Sequence, residues 1–240
     1  MSRIYGDCAF IWEILTADDV YLDEAQLYWS LLNDGRAQPI QSLVELGSGG
    51  GFLAQHLIHP EHIILVDQSE AMLALSRQRN PEAIHLCEDM CHVDFGQKVD
   101  AVLIHDAIMY LKTQDEIVHC LKNAIEQLKP HGRILIVPDV LEDTFYENIA
   151  SGSGEGEAGQ VHLTEWRWKP EEHNQSFNVA FSVLIREADR VESLFEVHEM
   201  GCLSYLEWLG IFNELGLKVH EIDFMTYELP RELFLLSILQ

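Results

Sequence analysis

The chain has 240 residues, 48% of them hydrophobic, which is enough to bury the core of one α/β domain with an insertion. Its 40 acidic residues against 15 lysines and arginines give a formal net charge of −25, which repels phosphate backbones and anionic lipid. This charge argues against a nucleic acid or a membrane as partner and favours a small neutral or cationic ligand. A cytoplasmic location is expected because no run of 18 apolar residues and no signal-peptide core is present.

Residues 1–38 are predicted to form an N-terminal helical cap. Ile11, Ile14 and Leu15 share one helical face, and apolar residues continue at helical spacing from Leu22. The second helix is predicted to end at the polar, glycine-containing segment 33–35.

After Pro39, short apolar strands alternate with helices. A helix is predicted from Phe52 to Leu57, and Ser69 and Thr113 are predicted to begin two further helices. This alternation predicts a doubly wound, Rossmann-like α/β sheet of seven strands. The first five predicted strands are 43–46, 63–66, 83–86, 101–104 and 134–137.

The alternation stops near Ser151. Residues 151–159 contain four glycines and two glutamates, and they are interpreted as a mobile acidic loop. Three antiparallel strands are predicted after it, and a helix at 203–215 then leads to an antiparallel C-terminal hairpin. We therefore expect the sheet domain to comprise 39–150 and 200–240, with 151–199 as a small β insertion. The three insertion strands are predicted at 161–168, 177–186 and 191–198, and the hairpin strands at 217–224 and 233–238.

The segment Glu45 to Gly51 has the strongest chemical signal. A strand ends there in a glycine-rich turn, whose missing Cβ atoms let a ligand lie against the backbone. Asp67 follows Gly47 by 20 residues at the end of the second strand, where its carboxylate can accept both ribose hydroxyls of a nucleoside. Phe52 stands where a dinucleotide-binding turn has its last glycine. Glu45 would repel a pyrophosphate but tolerate a cationic sulfonium.

The segment 44–51 resembles motif I of the class I S-adenosylmethionine (SAM)-dependent methyltransferases. Residues 64–67 resemble the acidic motif that follows it, and 88–90 resemble the loop after the third strand. Residues 128–133, Leu-Lys-Pro-His-Gly-Arg, resemble the turn before the fifth strand, with His131 replacing a usual glycine. The resemblance covers about residues 20–140 and says little about the methyl acceptor. Related sugar-amine and glycine methyltransferases have a substrate-covering insertion after the fifth strand, so the resemblance implies that the β insertion at 151–199 forms a substrate lid.

The resemblance implies SAM as cofactor and a set of residues around it. Asp67 would bind the ribose, Gln68 would flank the adenine, and Asp89 would accept a hydrogen bond from its amino group. Met90 would cover the adenine ring, although packing in the core is the alternative. The predicted cofactor-binding residues are Tyr21, Glu45, Gly47, Ser48, Gly49, Gly51, Asp67, Gln68, Met72, Asp89, Met90 and His105.

Three candidate catalytic residues follow the fourth strand at the carboxyl edge of the sheet. They are His105, Asp106 and Tyr110. A histidine that titrates near neutrality could deprotonate an acceptor. The alternative is that His105 meets the cofactor through its backbone and that Tyr110 packs under the sheet. Trp166 and Trp168 share one strand face, which favours packing over recognition of a cationic acceptor.

The sequence therefore predicts methyl transfer from SAM to a nitrogen or oxygen of a small-molecule acceptor. An NAD-dependent oxidoreductase and a catalytically inactive SAM-binding regulatory protein are the alternatives. No metal site is predicted, because the cysteine spacing is not that of a zinc knuckle. A homodimer is compatible with the sequence.

Overall fold

The computed structural model describes residues 2–57, 60–170, 175–220, 222 and 232–239. Its strands form a seven-stranded sheet and a separate four-stranded sheet. Within the described residues, no helix has the length and apolar character needed to cross a bilayer. The helices are α1 (Phe10–Leu15), α2 (Leu22–Asn33), α3 (Glu70–Arg79), α4 (Gln114–Glu126) and α5 (Tyr205–Glu214). The strands are β1 (Ser42–Leu46), β2 (His62–Asp67), β3 (Ile84–Cys87), β4 (Val99–His105), β5 (Leu128–Val137), β6 (Asn148–Gly156), β7 (Gly159–Trp168), β8 (Ser176–Glu187), β9 (Arg190–Gly201), β10 (Leu217–Val219) and β11 (Phe234–Ile238).

The large sheet has the order β3-β2-β1-β4-β5-β11-β10. The strands pair in parallel except at β11, which runs antiparallel to both β5 and β10. Val44 of β1 lies between Ile64 of β2 and Val102 of β4, and all five residues of β1 are buried. Strands covered on both faces become continuous apolar runs in the sequence. The predicted doubly wound sheet with an antiparallel C-terminal hairpin is confirmed.

Two of the predicted helix starts depend on side-chain caps. The Ser69 hydroxyl accepts a hydrogen bond from Met72 N at 3.1 Å at the start of α3. Thr113 and Glu116 form a capping box at the start of α4. Both helices therefore begin where the sequence indicates.

The helix predicted from Phe52 to Leu57 is wrong. The structure has only a three-residue 3₁₀ turn at Ala54–His56 in this segment. Gly51 has φ of +69°, which a right-handed helix excludes, and Leu57 is already extended. The chain between these residues is too short to propagate an α-helix.

The mobile acidic loop predicted at 151–159 is also wrong, since most of this segment belongs to β6. This strand pairs with β7 without a break from Asn148 to Gly156. The insertion therefore has four strands rather than three, and they run from Asn148 to Gly201. A Cβ at Gly154 would overlap the backbone carbonyl oxygen of Ile14. Close approach of α1, rather than loop flexibility, requires glycine there.

The two faces of the small sheet differ in character. On the outer face, Ile149, Trp166, Ala180 and Val197 form one cross-strand row, and Ile149, Trp166 and Val197 are exposed. The neighbouring row on the inner face is Asn148, Arg167, Val179 and His198, and the inner face covers the carboxyl edge of the large sheet.

Two segments near the ends of predicted strands also differ from expectation. The turn 130–132 lies inside β5, where His131 has φ of +63°. The strand predicted at 217–224 ends as β10 at Val219, and Glu221 and 223–224 lie outside the described residues.

Candidate active site

A cavity of about 970 Å³ opens between the carboxyl ends of β1, β2 and β4 and the inner face of the small sheet. One half is formed by the glycine turn after β1 and the acidic residues after β2 and β3. The other half is formed by the N-terminal segment, the turn after β4, and strands β7 and β8. The two halves suit two different ligand groups, because their chemistry differs.

The glycine turn adopts backbone conformations that other residues resist. Gly47, Gly49 and Gly51 have φ of +74°, +52° and +69°. A Cβ at Gly47 would overlap the side chain of Ala107 in the turn after β4. Glycine at this position therefore lets two turns at the carboxyl edge approach each other.

Asp67 at the end of β2 is oriented by two backbone amides. Its carboxylate accepts from Gly49 N and from Ser69 N, each at 2.8 Å. Burial raises the pKa of Asp67, and these two hydrogen bonds oppose the rise. Each carboxylate oxygen keeps a second lone pair for a hydroxyl donor in the cavity.

Glu45 is buried at the base of the cavity, on β1. Among the described residues, no group hydrogen-bonds its Oε2, and the same holds for the Ser48 hydroxyl. Burial raises the pKa of Glu45 to about 7, with His105 opposing the rise and Asp67 and Asp106 adding to it. A buried acceptor of this kind is costly unless a ligand donor or cation reaches it.

His105, at the end of β4, packs against Tyr28 of α2 and against Tyr21, the residue that precedes this helix. Its ring centroid lies 5.7 Å from those of both Tyr21 and Tyr28. Its Nε2 lies 3.1 Å from a Glu24 carboxylate oxygen and 3.6 Å from one of Asp106. The imidazole is thus enclosed and already engaged by two acids.

The outer half of the cavity combines carboxylates with aromatic rings. Asp106, Asp139 and Glu165 line it, and Arg167 pairs with Asp139 at 2.7 Å and with Glu165 at 3.4 Å. Burial raises the pKa of Glu165, which Arg167 opposes. Asp106 has φ of +39°, an unusual value for a non-glycine residue and one that often marks a functional site.

The aromatic part of this half comes from elements far apart in the chain. Tyr5 stacks on Trp12 with centroids 5.7 Å apart, and Trp12 meets Phe181 edge-on at 6.3 Å. Tyr110 meets Tyr5 edge-on at 6.0 Å. All four rings line the cavity.

Comparison with known proteins agrees with this geometry. Residues 44–136, which run from within β1 through the glycine turn nearly to the end of β5, match the family model described as a methyltransferase domain. The chain is 24% identical over 190 residues to dTDP-3-amino-3,4,6-trideoxy-alpha-D-glucopyranose N,N-dimethyltransferase of Streptomyces venezuelae, covering 78% of this chain and 80% of that one. It is also 24% identical over 181 residues to the corresponding 3,6-dideoxy enzyme of Streptomyces fradiae, covering 74% and 70%.

Solved structures show the same fold. A sugar N-methyltransferase from Streptoalloteichus sp. aligns with a TM-score of 0.83 at 20% identity, covering 98% of this chain and 92% of that one. A SAM-bound amino pentose methyltransferase from Micromonospora echinaspora aligns with a TM-score of 0.77 at 19% identity, covering 98% and 97%. The chain therefore contains a methyltransferase domain and is a SAM-dependent methyltransferase. SAM is its cofactor, and the oxidoreductase and inactive-protein alternatives are set aside.

The inner half of the cavity fits SAM. The unpartnered Glu45 carboxylate matches the cationic amino and sulfonium groups of SAM, and the oriented Asp67 carboxylate matches the ribose hydroxyls. The cavity therefore offers a fitting partner to the cationic groups and to the ribose hydroxyls of the cofactor.

The structure brings most of the predicted cofactor residues to the cavity wall. Gly51 is the exception, because it lies behind the turn, where Asn80 donates to its carbonyl oxygen at 3.0 Å. Asp89 accepts from Cys91 N at 2.8 Å and is half exposed. The predicted residues that line the cavity are Tyr21, Glu45, Gly47, Ser48, Gly49, Asp67, Gln68, Met72, Asp89, Met90, His105, Asp106 and Tyr110.

Most residues of the outer half of the cavity were not predicted from the sequence. Trp166 and Trp168 were candidates for this region, but Trp166 points outward and is 54% exposed, and neither residue lines the cavity. Glu165 and Arg167 alternate with them on the opposite face of β7. Strand alternation was the available signal, since the two tryptophans and the two charged residues cannot share a face. The missed residues are Tyr5, Trp12, Asp139, Glu165, Arg167 and Phe181.

Proposed function

We propose that this methyltransferase transfers the methyl group of SAM to an amine nitrogen of a small molecule. The outer half of the cavity supports this proposal, because three carboxylates there adjoin four aromatic rings. Carboxylates and aromatic faces both attract a cationic ammonium group. The relatives named as sugar N-methyltransferases support nitrogen over oxygen.

On the cofactor side, we assign Asp67 to the ribose hydroxyls and Glu45 to the amino group of SAM. Gln68, Met72, Asp89 and Met90 would enclose the adenine. The turn containing Gly47, Ser48, Gly49 and Gly51 would meet the rest of the cofactor, and Tyr21 would cover it. These roles stay predictions.

The bound cofactor supplies an activated methyl group. The protein has to hold the acceptor nitrogen in line with that group and exclude water, a proximity effect worth several kcal/mol. The inner face of the small sheet is placed to exclude water, because its residues Arg167 and Phe181 line the side of the cavity opposite the turn after β4. We therefore propose that strands β6 to β9 act as the substrate lid.

We assign His105 to orienting the site rather than to removing the acceptor proton. Glu24 and Asp106 both lie within 3.6 Å of its Nε2, and two tyrosines enclose its ring. Asp106 remains a candidate for contact with the ammonium group, because its side chain is 44% exposed at the cavity.

We infer further that the acceptor carries no phosphate, unlike the dTDP-linked sugars for which two relatives are named. Among the described residues that line the cavity, Arg167 is the sole lysine or arginine. Its guanidinium is already bridged by Asp139 and Glu165. A pyrophosphate group would meet carboxylates without a matching cation, which is unfavourable.

The test combines calorimetry with a turnover assay. We expect SAM and S-adenosylhomocysteine to bind and dTDP to give no heat, and we expect Asp67→Ala to weaken SAM binding at least tenfold. S-adenosylhomocysteine release is measured with methyl 3-amino-3-deoxy-α-D-glucopyranoside, with its dTDP-linked counterpart, and with the 3-hydroxy parent glycoside. Turnover of the phosphate-free amine, without turnover of the other two compounds, supports the proposal. Methylation of the hydroxy parent would contradict a nitrogen acceptor, and tight dTDP binding would contradict a phosphate-free one.

We propose that two copies of the chain associate through the outer face of the small sheet. Three consecutive cross-strand rows on this face contain no Asp, Glu, Lys or Arg, in a chain with a net charge of −25. Two such acidic molecules repel each other least across an uncharged face. The rows are Ile149, Trp166, Ala180 and Val197; Ser151, Thr164, Ser182 and Phe195; and Ser153, His162, Leu184 and Ser193.

A cytoplasmic location remains our expectation, and the five cysteines are free thiols in the structure.

A further inference from the structure

A chain of hydrogen bonds begins at the cavity wall and leads away from the cofactor half. The Tyr110 hydroxyl, in the turn after β4, lies 2.9 Å from Nδ1 of His198 on β9. The other ring nitrogen of His198, Nε2, lies 3.0 Å from Oε2 of Glu196 on the same strand. Tyr110 lines the cavity, so the chain joins the acceptor half to two residues behind it.

Glu196 is held in place by the N-terminal segment. Its carboxylate accepts from the Ser2 hydroxyl at 2.6 Å and from Arg3 N at 2.7 Å. Burial favours the neutral acid, but the hydrogen bonds from Ser2, His198 and Arg3 outweigh it and hold the pKa of Glu196 below its usual value. An ionised Glu196 can only accept hydrogen bonds, so the ring nitrogen that faces it, Nε2 of His198, must carry a proton. The lone pair of Nδ1 then faces the Tyr110 hydroxyl.

Tyr110 is a proton carrier rather than an ionised base. Burial raises its pKa, the hydrogen bond with Tyr5 opposes the rise, and Glu165, Asp67 and Glu196 add to it. The phenol therefore stays protonated near neutrality. Its hydroxyl donates to the Tyr5 hydroxyl at 2.8 Å, and because a hydroxyl hydrogen can rotate, Nδ1 of His198 is a second acceptor within reach of the same oxygen. Tyr110 can take a proton on its oxygen only while it gives its own to a neighbour, and of these two neighbours His198 is the one backed by a carboxylate.

Groups from several elements surround His198. Tyr110 from the turn after β4 and Tyr5 from the N-terminal segment present neutral hydroxyls or rings, and Phe181 on β8 lies 5.0 Å from the imidazole, centroid to centroid. Glu196 contributes the negative charge that can pair with an imidazolium. Glu165 adds to the negative potential at Tyr110, and Lys112 is paired with Glu199 at 2.8 Å.

We propose that Tyr110, His198 and Glu196 form a proton relay that converts the bound ammonium group of the acceptor into the nucleophilic amine. One N–H bond of the ammonium breaks, and its electron pair stays on nitrogen. The released proton goes to the Tyr110 oxygen, while the Tyr110 proton goes to Nδ1 of His198. Glu196 then pairs with the resulting imidazolium at Nε2. Tyr110 is the catalytic residue, and His198 and Glu196 are positioning residues that act through it.

This inference rests on the proposed amine acceptor and adds a route for its proton. Alkyl amines are protonated near neutral pH, like the lysine ammonium with its pKa of about 10.4, and a protonated nitrogen has no lone pair for attack. Without a relay, turnover would be limited by the small fraction of free amine. General base assistance of this kind contributes roughly 10²–10⁴-fold to a rate.

The test compares Tyr110→Phe and His198→Gln with His162→Gln as matched control. His162 lies on β7 of the same sheet, but on its outer face. With methyl 3-amino-3-deoxy-α-D-glucopyranoside at pH 7, both relay variants should lose at least 100-fold in kcat/KM, and the control should retain the wild-type value. SAM affinity should not change in any variant. The loss in His198→Gln should shrink as pH approaches 10, because free amine then forms without the relay.

Two results would overturn the relay. One is a wild-type pH profile in both relay variants, and the other is a loss that stays constant from pH 7 to 10. If wild-type protein binds SAM but leaves the amine unmodified, the amine assignment fails, and a second measurement still decides the relay. Nitrogen NMR of His198 in the S-adenosylhomocysteine complex should find the proton on Nε2, and a proton on Nδ1 would exclude the relay as written.

Discussion

Glu45 is a buried side chain whose protonation links the stability of the protein to pH. The carboxyl group is buried on β1, and its pKa is about 7 in the folded protein against 4.5 for an ordinary glutamate. Because the folded state binds this proton more tightly than the unfolded state, the contribution of Glu45 to stability is full below pH 4.5 and is lost as pH rises through about 7. At 1.36 kcal/mol per pKa unit, the loss is about 3 kcal/mol above pH 7.

We therefore expect Glu45→Gln to remove this pH dependence. Without cofactor, the Tm of the wild type should fall relative to that of the variant between pH 5 and pH 8, as measured by circular dichroism. SAM should bind the wild type more tightly as pH rises through the same range, because its cationic groups favour the ionised carboxylate. Glu82→Gln, at an exposed position, is the matched control. Parallel melting curves for wild type and Glu45→Gln at all pH values would contradict the argument.

The residues whose roles follow from local backbone geometry could be predicted from sequence. Gly47 lies in the turn directly after β1 and Asp67 at the end of β2, and both positions can be located from the apolar strand pattern alone. Glu165 and Arg167 could not be assigned to the cavity in this way. Their role depends on which face of β7 turns toward the large sheet, and packing between the two sheets decides that.

At the scale of elements, α1 and β6 depend on each other. The helix packs against β6 and β7, and Gly154 lets the backbone of Ile14 approach the strand. Tyr5 lies before this helix, Trp12 lies within it, and Thr16 follows it directly. All three residues line the cavity. The fit between helix and strand thus positions part of the acceptor wall.

A Gly154→Ala variant tests this fit, with Gly152→Ala as its control in the same strand. The added Cβ at 154 would overlap Ile14, whereas nothing lies within 4 Å of the Cβ position at 152. We expect a loss of about 1–3 kcal/mol in unfolding free energy for Gly154→Ala, typical of overpacking. Gly152→Ala should be neutral or slightly stabilising. Hydrogen exchange should also speed up in α1 in the first variant alone. Equal behaviour of the two variants would show that the helix tolerates displacement.

At the scale of the whole molecule, the uncharged outer face of the small sheet is the surface for the proposed dimer. Phe195 is 68% exposed near its centre, between the rows that contain Val197 and Leu184. Phe195→Glu would place two carboxylates in an apolar contact, so we expect light scattering to give a dimer for the wild type and a monomer for the variant. SAM affinity should be unchanged.

Leu206→Glu is the control for that experiment, because Leu206 is 77% exposed on α5 rather than on the sheet. It should remain dimeric. A monomeric wild type at micromolar concentration, or a dimeric Phe195→Glu variant, would exclude this face as the interface.

The class of sheet, the glycine turn, Asp67 at the end of β2 and thereby the cofactor could be predicted from the sequence alone. These features are local, since each depends on residues close together in the chain and on the period of apolar residues. The tertiary structure decided what the glycine-rich segment 151–159 becomes, because Gly154 has a role only beside Ile14. It also decided the acceptor half, where Tyr5, Tyr110 and His198 meet across up to 193 residues of chain. Contacts at that separation leave no periodic signal in the sequence, and only the packing of the small sheet on the large one creates them.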